Sequence, residues 1–179
     1  AACMQGELLQ AMKRFDAADA AFRSVLDHEP DNADVLNSYG ILLNEAKRYA
    51  ASEAAYRRTL ALRPDFAEAH ANLGLLLDQK GMPAEAEHHY LHSITLNPHI
   101  GNTHMDLGVL LANQKRFEEA EAAYRRALEL IPDSPTAWLN LGALQTCRKQ
   151  EKEAEQSFRT AIELDPDCHL AYFNLSYLF

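Results

Sequence analysis

The chain has 179 residues, 47% apolar and 24% charged, a composition ordinary for a packed domain and too apolar for a disordered one. Its net charge of -9 opposes binding to a polyphosphate, since nucleic-acid affinity depends on lysine and arginine displacing counterions. No apolar run approaches the roughly 20 residues of a membrane-spanning helix, and Cys3, Cys147 and Cys168 are odd in number without paired spacing, so neither membrane insertion, a disulfide framework nor a zinc site is expected. The start also lacks a basic segment followed by an apolar one. These features suit a soluble protein and lean toward a reducing, cytoplasmic setting, without fixing the compartment.

One period organises the predicted elements. Pro30, Pro64, Pro98, Pro132 and Pro166 stand 34 residues apart, and Gly6, Gly40, Gly74, Gly108 and Gly142 keep the same step, five of the seven residues of each type. The first unit, 1–32, enters inside its first helix and is two residues short. Full units follow at 33–66, 67–100, 101–134 and 135–168. A sixth, 169–179, holds only a first helix, with Tyr172, Leu175 and Phe179 at core places and nothing to cover them, the pattern of a fragment.

Each unit reads as two helices. The proline ends the second, because it lacks an amide hydrogen and clashes with the preceding turn. Asp31, Asp65, Asp133 and Asp167 follow four of the prolines as turn formers and candidate caps. Glycine costs about 1 kcal/mol inside a helix, so a glycine recurring on one face implies close approach of another helix. Ala18, Ser52, Ala86, Ala120 and Ala154 hold the matching place on the second helix, where the crossing is expected to be tightest. Phe22, Tyr56, Tyr90, Tyr124 and Phe158, one turn later, are expected to fill its wider part. Pro83, a candidate first helical residue, and Glu151 replace an aromatic before the second helix, so those two turns should be the least well packed.

Within 135–168, Trp138, Leu141 and Gly142 give W-x2-L-G, Ala154 and Phe158 give A-x3-F, and Pro166 closes the unit. The chain resembles the tetratricopeptide repeat family over nearly its whole length. The resemblance implies an all-α fold, an α-solenoid of antiparallel helix pairs forming one superhelical domain over 1–179. It also implies a concave groove lined by the first helices, used to bind a peptide or helix of another protein.

On a helical wheel of the first helix, repeat places two, five, six, nine and thirteen are left without a packing duty. Place nine holds Ile41, Leu75, Val109 and Ala143, and place five adds Met105, Leu139 and Phe173; an exposed apolar row of this kind marks a binding surface, and Asn37, also at place five, is expected to line it. Place six holds Ser38, Asn72, Asp106, Asn140 and Asn174. An asparagine amide both donates and accepts, so this row suits the backbone of an extended peptide, and it is similar to the asparagine ladder of O-linked N-acetylglucosamine transferases. The same asparagine can instead space adjacent helices. Asp34, Glu45, Glu68, Asp78 and Asp106 make the N-terminal part of the face acidic, favouring a partner with apolar and basic residues. The family's chaperone-tail clamp is not expected, since place five carries Cys3, Asn37, Ala71, Met105 and Leu139 rather than lysine.

Other constellations point away from chemistry. Asp19 with Arg23, Glu53 with Arg57, Glu121 with Arg125 and Glu155 with Arg159 are acid-before-arginine pairs four apart, so Arg57, Arg58, Arg125 and Arg126 read as a solvated outer face rather than an anion site. His88 and His92, also four apart, are weak metal candidates without a third ligand. His70 and His104 share the place of Trp138 and are expected to be buried packing residues. No phosphate loop, H-E-x-x-H or nucleophile elbow occurs, so neither catalysis nor a cofactor is expected. The leading expectation is an interaction scaffold. Its alternatives are the substrate-recruiting arm of a larger enzyme, such as a glycosyltransferase, and self-assembly through the C-terminal helix.

Overall fold

The computed structural model describes the backbone of residues 2–178 and the side chains of 14–178; Gly6, Cys3 and Phe179, singled out above, lie outside the side chains described. Ten helices occur among the described residues: α1 Ala2–His28, α2 Ala33–Glu45, α3 Tyr49–Leu62, α4 Ala67–Gln79, α5 Pro83–Leu96, α6 Gly101–Asn113, α7 Phe117–Leu130, α8 Pro135–Cys147, α9 Glu151–Leu164 and α10 His169–Ser176. They form two compact units, Ala1–His89 and Tyr90–Phe179, divided within α5. The all-α class of paired helices is the one expected. The first unit differs, because α1 runs unbroken where a helix pair was expected.

Four equivalent turns explain where the first helices stop. Lys47, Gly81, Lys115 and Lys149 have φ of 57°, 74°, 62° and 61°. In each turn the next amide reaches back five residues, from Arg48 to Leu43, Met82 to Leu77, Arg116 to Leu111 and Gln150 to Gln145. The left-handed residue itself bonds three back, to Asn44, Asp78, Ala112 and Thr146. This pattern satisfies the carbonyls that a helix end leaves open. Three of the four turns use lysine where glycine is the relaxed choice.

The second helices end as the prolines predicted, but the caps lie elsewhere. Asn32 and Ser134 accept from the amides of Val35 and Ala137, whereas Phe66, Ile100 and Cys168 begin their helices with no side-chain cap bond. The aspartates sit one residue too early to reach those amides. Pro83 starts α5 as expected. Pro83 and Glu151 are exposed, but so is Tyr49, and only Phe117 of these four turn residues is half-buried.

Within each unit, the glycine of a first helix receives the aromatic ring of the second. A β-carbon on Gly40, Gly108 or Gly142 would stand 2.5, 2.6 or 2.6 Å from a ring carbon of Tyr56, Tyr124 or Phe158. Glycine thus opens a slot that a flat ring fills, while Ser52, Ala120 and Ala154 one turn earlier are wholly buried. Tyr56, Tyr124 and Phe158 are almost wholly buried. Burial pushes the Tyr56 phenol up to about 12 and raises that of Tyr124. Ser52, at the alanine place, donates to the Gly40 carbonyl at 2.7 Å.

A second device recurs at the unit boundaries. His70 and His104 are buried, and their Nε2–H groups donate to the carbonyls of Pro64 and Pro98 at 3.0 and 3.1 Å; the Nε1–H of Trp138 does the same to Pro132 at 2.9 Å. Because a carbonyl only accepts, the bonding nitrogen of each histidine carries the proton. His70 meets His89 through the two Nδ1 atoms at 2.9 Å.

The outer acid–arginine pairs form, at 2.9 Å for Asp19–Arg23 and Glu53–Arg57 and 2.5 Å for Glu121–Arg125 and Glu155–Arg159. Three of these acids also hold a base from the following turn. Asp19 takes Arg48 at 3.0 Å, Glu53 takes Lys80, and Glu121 takes Arg148. The acids thus tie successive helix pairs together, a duty beyond surface solvation. Arg58 pairs with Asp31 and Arg126 with Glu129.

Candidate partner-binding face

Residues spaced 3 or 4 apart on a helix share one face. On that rule Ser38, Ile41 and Glu45 share a face of α2; Glu68, Asn72 and Leu75 of α4; Asp106, Val109 and Asn113 of α6; and Asn140, Ala143 and Cys147 of α8. None of these twelve residues is buried. First helices neighbour one another within a unit, α2 beside α4, and α8 between α6 and α10. Each unit therefore presents its own row of these residues.

In the first unit, Ile41 is 39% exposed and Leu75 half-buried. Asn37 departs from expectation: it is only 8% exposed, and its carbonyl oxygen accepts from the Asn72 amide at 3.1 Å. Place five here turns into the contact between α2 and α4, so Asn37 belongs to the packing and Asn72 is partly committed to spacing the two helices. Ser38 is exposed, with its hydroxyl donating to the Asp34 carbonyl. The acidity is also smaller than the sequence count suggests. Arg63 neutralises Asp34 at 2.6 Å while stacking 3.6 Å over Phe66. Burial raises the Asp78 carboxyl above the usual range, and Glu45 and Glu68 remain exposed.

In the second unit, Met105, Asp106, Val109, Leu139, Asn140 and Asn174 are half-buried, and Phe173 is 59% exposed. Val109, Asn140 and Ala143 meet around one hollow of about 270 Å³, floored by Leu144 and Phe117 and edged by Asn113 and Cys147. Sequence reasoning selected Val109 and Asn140 but missed Phe117, Asn113 and Cys147. The last two hold place thirteen, which the wheel left exposed, and their polarity hid them from a search for apolar rows. Further along, Leu170, Tyr172 and Phe173 of α10 and Tyr177 just after it form a strongly exposed apolar surface.

The described residues include no group of three or more histidine, cysteine or carboxylate side chains placed to hold a metal. Among them, no helix is long and apolar enough to cross a membrane.

Comparison with solved structures gives the same architecture. The chain is similar to MamA (TM-score 0.75, 21% identity, 88% of this chain and 92% of that one). It is also similar to YrrB, described as a TPR protein with an unusual peptide-binding site (TM-score 0.71, 20% identity, 93% and 86%). A third similar structure is pilF of Pseudomonas aeruginosa (TM-score 0.77, 22% identity, 82% and 67%). No curated protein matches. Tetratricopeptide repeat family models match residues 3–65, 46–99 and 99–167. With its 34-residue period, its glycine–aromatic crossings and these matches, the chain belongs to the tetratricopeptide repeat family.

Proposed function

We propose that this protein is an interaction module that binds a peptide or helix of another protein along the first helices of its units. The observation that carries the reading is the set of apolar side chains on those helices that stay exposed or only half-buried, Ile41 and Leu75 in one unit and Val109, Ala143 and Phe173 in the other. Removing such area from water contributes about 25 cal/mol per Å², so a surface of this kind gains by being covered. Glu45, Glu68 and the residual negative charge favour basic residues flanking the partner's apolar ones. The peptide-binding site described for YrrB supports the same use of the fold.

The test is a peptide-array screen of the native chain beside a variant carrying Ile41→Ala, Leu75→Ala, Val109→Ala and Asn140→Ala. Asn72 is left intact because its amide spaces α2 and α4. Loss of the bound peptides in the folded variant supports the groove; binding that survives moves the site to the outer helices. A second reading, association of two copies through α10, rests on the exposure of Leu170, Tyr172 and Tyr177. Light scattering over a concentration series, with Tyr172→Ser as control, distinguishes it.

A further inference from the structure

The two units do not offer the same chemistry. Asn72 already gives one amide hydrogen to Asn37. The equivalent residue in the second unit, Asn140, has Met105 where Asn72 has Asn37, and a thioether is only a weak acceptor. Among the described residues, the Asn140 side chain makes no hydrogen bond, and its half-buried amide borders the hollow between α6, α7 and α8. No charged side chain lines that hollow, although the chain as a whole is acidic. Its volume of about 270 Å³ exceeds the roughly 150 Å³ in which an apolar cavity holds a benzene-sized molecule.

We infer that the second unit recognises its partner through one uncharged apolar side chain of leucine or phenylalanine size. That side chain sits in this hollow, and the Asn140 amide pairs with the partner's backbone beside it. The inference rests on the groove reading above and assigns specificity within it. A charged occupant is disfavoured because no residue lining the hollow carries a counter-charge, Asp106 acting on Tyr124 of its wall only from outside the lining, and a desolvated charge without a partner is costly. The amide suits the occupant's backbone because a peptide unit carries one donor and one acceptor, the same set that a carboxamide presents. A single side chain in a shallow site gives weak binding, so the effect is to be read at millimolar concentration.

The experiment is a methyl and amide NMR titration of the whole chain with four capped pentapeptides, Gly-Gly-Xaa-Gly-Gly, where Xaa is Leu, Phe, Lys or Glu. The expected result is that the Leu and Phe peptides shift the Val109, Ala143 and Leu144 methyls and the Asn140 side-chain amide, whereas the Lys and Glu peptides leave them in place. Ala143→Phe, which fills the hollow from an exposed position, and Asn140→Ala should each weaken these shifts by about tenfold in Kd. Shifts confined to Ile41 and Leu75 overturn this inference and leave the groove reading standing. Shifts confined to α7 and α9 overturn both. Shifts of equal size with the Lys peptide, or none at the hollow methyls with any peptide, overturn this inference alone.

Discussion

Replacing Gly108 by alanine sets two physical effects of opposite sign against each other. Alanine is the better helix former by about 1 kcal/mol, so at a glycine present for no packing reason the change stabilises the protein. At Gly108 the new methyl would stand 2.6, 2.7 and 3.2 Å from Cε1, Cδ1 and Cγ of Tyr124, a ring only 3% exposed and closed in by its surroundings. Overpacking of a filled core costs about 1–3 kcal/mol. Three close ring carbons place this case toward the upper end, so Gly108→Ala is expected to lose about 1–2 kcal/mol net after the propensity gain. The assay is urea denaturation followed by far-ultraviolet circular dichroism. Tyr124→Leu removes the ring, so the alanine should cost less in that background, with a coupling of about 1 kcal/mol or more in a double-mutant cycle. A Gly108→Ala protein more stable than the native one, or a coupling near zero, would refute the claim that the ring and not helix propensity selects glycine here.

Further outcomes follow from the turns and the ion pairs. Gly81 has φ of 74° and nothing within 4 Å of its missing side chain, so Gly81→Ala should lose about 1 kcal/mol through backbone strain alone, while Lys115→Gly should gain stability; denaturant midpoints read both. Removing the Asn72 amide leaves the buried Asn37 oxygen unpaired, so Asn72→Ala should cost about 1–2 kcal/mol in the same measurement, whereas Asn140→Ala should leave stability nearly unchanged. Lys80, with Arg57 beside it, holds the Glu53 carboxyl below its usual 4.5. A carboxyl lowered in the folded state contributes stability above about pH 4.5 and loses it as the pH falls through the folded value. Thermal melts between pH 6 and about pH 3 should therefore be less steep in pH for Glu53→Gln than for the native chain. Asp78 has the opposite sign, since burial raises it, so Asp78→Asn should stabilise the protein at neutral pH.

Much of the architecture was legible because a repeat writes each physical constraint several times. A lone proline or glycine is weak evidence, but five of each at one spacing fix the ends of the second helices and the faces on which helices cross. His70 and His104 could be placed in the packing because Trp138 holds the same place. The all-α class and most of the exposed face, though not Asn37, therefore belong to the sequence.

The tertiary structure decided what those residues touch. The left-handed turns at Lys47, Lys115 and Lys149 carry no glycine signal, because the backbone conformation there is imposed by the returning hydrogen bonds. That Asn37 is buried and tied to Asn72, while Asn140 borders a hollow, depends on which neighbouring helix lies opposite. The second bases on Asp19, Glu53 and Glu121 come from 27 or 29 residues away, beyond the reach of any helical wheel. The sequence determines the period, the helix faces and their chemistry, since these are local properties of the chain. Partner choice among side chains distant in sequence is decided only when the helices pack.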